Sequence, residues 1–118
     1  MIKMLEISNN EFTLNEKSFI SWDLYDNEDE DYIQNEKSSQ YIRIDYVVTD
    51  ENERGYGIAT KMMNETLKEI QNKYRNLPIY IVATDLEKNT DIQRLVDFYE
   101  KFGFNVVGTA GDGVLMKK

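Results

Sequence analysis

The segment from residue 41 to residue 60 joins a β-rich run to a short acidic loop, a glycine-containing turn and a long amphipathic helix. It reads YIRIDYVVTDENERGYGIAT. The first N–H groups of a helix have no partner within the helix, and the helix dipole favours negative charge there. A glycine turn that leads into a helix is therefore a ready anion site. We expect this turn to hold the pyrophosphate of a nucleotide-like cofactor.

Alternating apolar residues predict strands on both sides of this turn. The strand at residues 18–25 has one apolar face, which carries Ile20, Trp22 and Leu24. The strand at residues 40–49 has two substantial faces, which predicts a central strand packed on both sides. The other predicted strands are short strands within residues 1–17, a buried strand at 79–83, and a closing hairpin at 104–109 and 114–116.

Two helices are predicted between these strands. The first has two adjacent apolar series at i, i+4 spacing, which are Ile58, Met62, Thr66 and Ile70 and then Ala59, Met63 and Leu67. The second has one apolar face, which carries Ile92, Leu95, Val96, Tyr99 and Phe102, and we expect Gly103 to end it at the C′ position. No linker or repeat interrupts this order, so residues 1–118 are predicted to form a single domain.

The chain is acidic, with 14 Lys and Arg against 22 Asp and Glu and a net charge of −8. This charge argues against nucleic acid as a partner and favours a cationic one, such as an amine or a basic protein. The densest acidic block lies at residues 26–31. Such a block is typical of a solvated loop within residues 26–40. The alternative is an acidic surface beside the substrate site that attracts a cationic substrate.

The chain has no Cys and no His. Their absence excludes disulfides and a thiol nucleophile, and we expect no zinc or transition-metal site. Acid–base chemistry must then use Asp, Glu, Tyr, Lys or water. The N-terminus does not resemble a signal peptide, and no apolar run approaches the roughly 20 residues of a membrane span. We therefore expect a soluble cytoplasmic protein with no membrane partner.

The glycine turn fits one known cofactor motif better than two others. A P-loop requires Gly-Lys-Ser/Thr, but Ile58 and Ala59 follow Gly57. A Rossmann fingerprint requires a third small residue, and Thr60 fills that place poorly. The run RGYGIA at 54–59 matches Arg/Gln-x-x-Gly-x-Gly/Ala, and FYEKFGF at 98–104 follows it after a strand. Together these motifs resemble the acyl-CoA signature and the late aromatic motif of the GNAT family of N-acetyltransferases, over about residues 40–118.

The resemblance implies the acyl-CoA N-acyltransferase fold, which is an α/β (α+β) fold. Its central sheet is mixed and mostly antiparallel, and two main helices flank it. Family members usually insert two further helices after the first strand. Residues 9–39 carry turn signals and acidic residues instead of helical periods. We therefore expect the first helix pair to be reduced or absent and the acceptor face to be open.

The resemblance also implies a site for acetyl-CoA. Backbone amides of the turn would cradle the CoA pyrophosphate, with the Thr60 hydroxyl beside them, and the exposed backbone near the end of the 40–49 strand would pair with the pantetheine arm. The cofactor-binding residues are then Val47, Val48, Thr49, Arg54, Gly55, Tyr56, Gly57, Ile58, Ala59 and Thr60. No metal is implied.

Two residues are candidates for catalysis under this resemblance. Tyr99 matches the family tyrosine that protonates the leaving CoA thiolate, and the alternative is that it is only a core aromatic residue. Asp45 is the candidate base for the acceptor amine, and the alternative is an ion pair with Arg43. Histone-type members begin this strand with a glutamate, whereas Tyr41 stands at that place here.

The function implied is transfer of an acetyl group from acetyl-CoA to a primary amine, directly and within a ternary complex. The acceptor is a protein lysine or N-terminus, or a small cationic amine, and the protein acts as a monomer or homodimer. One alternative is a catalytically silent module that binds CoA or a partner on the same scaffold. A plainer alternative is an interaction domain whose glycine turn is only a turn.

Overall fold

A computed structural model of the chain describes residues 4–8, 11–14, 18–26, 28, 33, 36–48, 57–84 and 92–118. Within them the chain forms seven strands and two α-helices. In chain order these are β1 (Met4–Ser8), β2 (Glu11–Leu14), β3 (Ser18–Asp26), β4 (Gln40–Val48), α1 (Ile58–Lys73), β5 (Ile79–Ala83), α2 (Ile92–Glu100), β6 (Asn105–Ala110) and β7 (Gly113–Lys117).

The strands hydrogen-bond in the order β1-β2-β3-β4-β5-β7-β6. The β1–β2, β2–β3, β5–β7 and β6–β7 ladders are antiparallel. The mostly antiparallel sheet with two helices that the sequence predicts is therefore confirmed. β4 is the middle strand of the order, as expected, and the described residues contain no helix before α1.

The chain divides into two compact units. The first unit comprises Met1–Asp23 and Ile44–Leu77, and the second comprises Leu24–Arg43 and Pro78–Lys118. β3 and β4 each contribute residues to both. The single domain predicted for residues 1–118 stays a prediction.

The first unit is built around α1. The buried side chains of this helix are those of the two predicted apolar series, except that Ala59 is only half-buried. They are Ile58, Met62, Met63, Thr66, Leu67 and Ile70. Ile20 and Trp22 of β3 are buried in the same unit, as predicted for their face. Apolar burial at helical spacing therefore fixes which side of α1 faces the core.

β4 differs from its prediction in its second half. Tyr41, Ile42 and Ile44 are buried, so both faces of the first half are covered. Tyr46 is 55% exposed, and Val48 is only half-buried. The prediction that the whole strand is packed on both sides is therefore wrong for this half. Alternation assigns each side chain to a face, but it does not determine how far along the strand other elements cover that face.

In the second unit, the predicted glycine takes the C′ position in the turn that follows α2. Gly103 has a φ of +95°, in the left-handed region that favours glycine. Its N–H donates to the carbonyl of Glu100 at 3.0 Å, and the N–H of Phe104 donates to the carbonyl of Tyr99 at 3.4 Å. These two bonds form a Schellman motif, and the rings of Tyr99 and Phe104 supply the apolar contact that often accompanies it.

The closing hairpin of the second unit is also confirmed. Ala110 pairs with Gly113, and Gly111 has a φ of +58° in the turn between them. Gly113 is required for a different reason. A Cβ at this position would lie 2.5 Å from the Thr84 hydroxyl and 2.7 Å from the Ala83 carbonyl. The start of β7 therefore approaches the end of β5 too closely for a side chain.

Neither helix of the described chain is both long and apolar enough to cross a membrane.

Candidate functional site

α1 begins at a glycine N-cap. Gly57 is the N-cap residue, and its φ of +74° is in the left-handed region. The first helical bond runs from the N–H of Lys61 to the carbonyl of Gly57 at 3.0 Å. Among the described residues, no side chain caps the helix, and its first turn carries no acidic residue. A Cβ on Gly57 would meet nothing described within 4 Å. This helix end can therefore accept an anion from outside the protein.

The side chains of the first turn face different surroundings. Ile58 is buried in the core, so only its backbone could contact a ligand. Ala59 is half-buried, and Thr60 is exposed, which leaves the Thr60 hydroxyl accessible. Four other predicted cofactor-binding residues lie outside the described part of the chain. They are Thr49, Arg54, Gly55 and Tyr56.

The second half of β4 is also partly exposed in the first unit. Val47 and Val48 are half-buried at the end of the strand, beside the exposed Tyr46. Asp45, the candidate base, is also half-buried. These side chains are therefore partly exposed to solvent, in contrast with the buried first half of the strand.

Tyr99 lies in the second unit, on the buried face of α2. It is 5% exposed, and its ring contacts those of Phe98 and Phe104 at centroid distances of 5.5 and 6.4 Å. Burial raises the pKa of Tyr99 to about 12. The phenol therefore stays protonated at neutral pH and can act as a hydrogen-bond donor.

The predicted site residues fall in both units. Asp45, Val47, Val48 and residues 57–60 belong to the first unit, and Tyr99 belongs to the second. In the described part of the chain, no three acidic side chains are grouped closely enough to hold a metal ion.

A buried carboxylate that the sequence did not reveal lies in the second unit. The Glu36 side chain is 5% exposed. The Tyr80 hydroxyl donates to Glu36 Oε2 at 2.5 Å, and Lys117 Nζ lies 3.0 Å from the same oxygen. The Ser38 N–H donates to Glu36 Oε1 at 3.4 Å. The prediction of a solvated loop at residues 26–40 is therefore wrong for Glu36, although Asp26 in the acidic block is exposed.

Aromatic rings extend from this carboxylate to the first half of β4. The Tyr80 ring packs edge-on against Tyr41 at 5.5 Å, and Tyr41 stacks on Tyr25 at 5.5 Å. The Arg43 guanidinium lies 4.7 Å from the centre of the Tyr25 ring. We call Glu36, Tyr80, Lys117, Tyr41, Tyr25 and Arg43 the Glu36 cluster.

The charge on Glu36 is stabilised by its partners. Burial by itself would raise the pKa of this carboxyl group, but hydrogen bonds from Tyr80, Lys117 and the Ser38 amide, with the Lys117 charge, outweigh that effect. The pKa of Glu36 therefore lies below its ordinary value of 4.5. The partners are 44 and 81 residues away in sequence, so no local pattern could have identified them.

A family model described as an acetyltransferase (GNAT) domain matches residues 18–106. No curated protein sequence matches the chain. Solved structures with a similar fold include PH1933 from Pyrococcus horikoshii OT3, which is 25% identical with a TM-score of 0.66. The match covers 93% of this chain and 64% of PH1933.

Two further structures share the fold at lower identity. The anti-CRISPR protein AcrVA5 is 22% identical, with a TM-score of 0.58 and coverage of 92% of this chain and 95% of its own. Arabidopsis thaliana Naa50, in complex with the bisubstrate analogue CoA-Ac-MVNAL, is 18% identical with a TM-score of 0.58. That match covers 86% of this chain and 64% of Naa50, so the chain spans less than two thirds of the length of PH1933 and of Naa50.

Proposed function

Because the chain belongs to the GNAT acetyltransferase family and has the acyl-CoA N-acyltransferase fold that its sequence predicted, we propose that it transfers an acetyl group from acetyl-CoA to a primary amine. Transfer is direct, within a ternary complex of enzyme, acetyl-CoA and amine. The absence of Cys supports this route over one through a thioester on the enzyme.

The observation that carries this proposal is the N-terminus of α1, which no side chain of the described residues caps. Gly57 provides the left-handed turn, and a Cβ on it would meet none of the described atoms within 4 Å. No side chain of the described residues caps the backbone amides that follow it. A diphosphate supplies the negative charge and the acceptor oxygens that such a helix end lacks. The half-exposed Val47 and Val48 are the proposed partners of the pantetheine arm.

In the proposed reaction the amine nitrogen attacks the thioester carbonyl carbon, the C–S bond breaks, and CoA leaves as a thiolate. A lysine-like amine has a pKa of ~10.4, so it must first lose a proton. Asp45, or a water molecule that it holds, accepts this proton. The nitrogen loses its second proton to solvent as the C–S bond breaks, and the thiolate takes up a proton from solvent, so atoms and charges balance.

Tyr99 is the proposed donor to the leaving sulfur. Its pKa of about 12 lies well above the ~8.5 of a thiol, so complete proton transfer from Tyr99 is unfavourable by about 5 kcal/mol. We therefore assign Tyr99 a hydrogen bond that stabilises the thiolate as it forms, while solvent supplies the final proton. This role needs a protonated phenol, which burial favours.

The acceptor is proposed to be cationic, because the chain carries a net charge of −8. The peptide portion of the analogue bound to Naa50 supports a polypeptide acceptor, and the acidity of this chain favours a basic protein among them. Action in the cytoplasm, on an N-terminus or a lysine side chain, fits this proposal.

Binding of CoA tests the proposal through two matched glycine variants. Gly57→Asp places bulk and negative charge where the CoA pyrophosphate is proposed to bind, so it should abolish CoA binding. Gly111→Asp makes the same change at another positive-φ glycine with open space around it, and it should bind CoA like the wild type. Calorimetry with millimolar CoA measures both. Equal affinity of the two variants, or no binding by the wild type, would contradict the proposal.

Turnover with an amine panel tests the role of Tyr99. Tyr99→Phe removes the hydroxyl but keeps the buried ring, so CoA affinity should be unchanged while kcat falls by about 100-fold. Thiol release measures kcat, and calorimetry measures affinity. Unchanged turnover would remove Tyr99 from the mechanism.

A catalytically silent CoA-binding protein is a second candidate function. The observation that favours it is Tyr41, which is fully buried among aromatic rings at the place where histone-type members carry a glutamate. CoA binding without thiol release from any amine would select this alternative.

A further inference from the structure

β6 is the last strand in the sheet order of the described chain. It pairs antiparallel with β7 on one side, and within the described residues no strand pairs with its other side. An edge of this kind presents unpaired backbone N–H and C=O groups that can add a further strand.

The side chains of β6 do not protect this edge with charge. Its six residues, NVVGTA, include no charged residue, although 31% of the chain is charged. Val106 and Val107 are 54% and 53% exposed, and with Tyr46 they are the large exposed apolar side chains of the described residues. Edge strands in stable monomers usually carry Lys, Pro or inward-pointing charges. The register shift between Val106 and Gly108 is the only feature of β6 that would discourage pairing with a further strand.

We propose that β6 pairs with β6 of a second copy of this chain, antiparallel and across a two-fold axis near Val107. An antiparallel two-fold arrangement places the same strand on both sides and uses the open edge of both copies, so assembly stops at a dimer. Centring the axis near Val107 brings β-branched side chains of the two copies together, which is a favourable cross-strand pairing.

The charge distribution selects a second copy over an oppositely charged partner. The chain carries a net charge of −8, so a basic partner would bind where the acidic side chains are. β6 offers such a partner no charge to recognise. β6 of a second copy, by contrast, is an uncharged strand of the same length. Pairing the two strands therefore brings no like charges together.

The same distribution predicts an unusual salt dependence. A single strand pair buries less surface than a standard protein interface, so the dimer should be weak, with a Kd on the order of 10 μM. Two copies of charge −8 repel each other outside the strand pair. Added salt screens this repulsion, so the dimer should tighten as salt rises. An interface held by opposite charges would weaken instead.

Disulfide cross-linking tests the pairing directly, because the chain has no cysteine of its own. Directly opposed residues of an antiparallel pair have Cα atoms about 4.5–5.5 Å apart, within the range of a disulfide. Val107→Cys, at the residue that opposes itself across the axis, should cross-link on mild oxidation at about 10 μM protein. Gln71→Cys, at an exposed position of α1, is the control and should not.

Sedimentation of matched lysine variants provides the second measurement. Val107→Lys puts two like charges across the two-fold axis and should weaken dimerisation at least about 10-fold, whereas Gln71→Lys should leave it unchanged or slightly stronger. Circular dichroism checks that each variant is folded. A wild type that stays monomeric at hundreds of micromolar in high salt, or cross-linking at β6 no faster than at Gln71, would overturn the proposal. The test needs neither CoA nor an amine, so it is independent of the proposed function.

Discussion

The buried face of α1 and the Glu36 cluster stabilise the two units in different ways. The face of α1 consists of side chains from one helix at regular spacing, all but one of them apolar. The Glu36 cluster joins a loop residue to β5 and β7 through a carboxylate, a phenol and an ammonium group. One region depends on the removal of apolar surface from water, and the other depends on polar partners that satisfy a buried charge.

This difference determines how each region should respond to mutation. An apolar face loses stability in proportion to the volume removed, and its response should not depend on pH. A buried ionised group depends on a few specific partners and on its own ionisation, so single-atom changes and acid should affect it most. Stability measurements on matched variants test this contrast within one protein.

The largest expected effect is that of a cavity beneath α1. Met62 is fully buried, so Met62→Ala should lower the free energy of unfolding by about 3 kcal/mol. The same truncation at the exposed Asn64, on the opposite side of the helix, should change it by less than about 0.5 kcal/mol. Urea denaturation measures both, and similar losses at the two positions would contradict the packing described for α1.

An intermediate effect is expected at Glu36. Glu36→Gln keeps an oxygen that can accept the Tyr80 hydrogen bond but removes the charge that pairs with Lys117. We expect a loss of about 2 kcal/mol at pH 7, the value of a hydrogen-bonded buried charge. Glu100→Gln, at an exposed position of α2, is the control and should lie within about 0.5 kcal/mol of wild type. A double-mutant cycle with Lys117→Met isolates the pairwise part.

Acid distinguishes this loss from a packing defect. The pKa of Glu36 is lowered below 4.5 in the folded state, so its contribution to stability is fully present above about pH 4.5. It is lost as the pH falls through the folded pKa. The stability difference between wild type and Glu36→Gln should therefore shrink below pH 4.5, whereas the deficit of Met62→Ala should persist. A pH-independent difference at Glu36 would rule out the ionic role.

The smallest expected effect is a gain of stability within the face of α1. Thr66 is fully buried, and its hydroxyl finds no hydrogen-bond partner among the described residues. Thr66→Val keeps the shape of the side chain and removes the unsatisfied hydroxyl, so the free energy of unfolding should rise by about 1 kcal/mol. A loss of stability on this change would indicate that the hydroxyl has a partner.

The sequence predicted those parts of the fold that are encoded locally. Spacing within a few residues predicts the buried face of α1, the strand at 79–83 and the C′ glycine at 103. Each of these features lies where it was predicted. Gly57 was predicted for its place in a cofactor motif, and the structure shows its left-handed backbone. The roles of the candidate site residues stay predictions.

Features set by distant partners could not be predicted in the same way. Glu36 belongs to a segment whose composition indicates solvent exposure, and its burial depends on Tyr80 and Lys117. The exposure of Tyr46, Val106 and Val107 depends on where neighbouring elements end, since each residue alone favours a buried strand position. Hydropathy of a single residue does not contain that information.

Lys118 connects β5 with the turn after α2, two parts of the second unit that are far apart in the sequence. Its backbone exchanges hydrogen bonds with Ile79, and its ammonium group donates to the Phe102 carbonyl at 2.5 Å, just beyond the end of α2. A positive charge at this position complements the negative end of the helix dipole. Chemical labelling or acylation of this exposed amine would neutralise that charge, so amine-reactive dyes should loosen the end of α2 even though they modify only the surface.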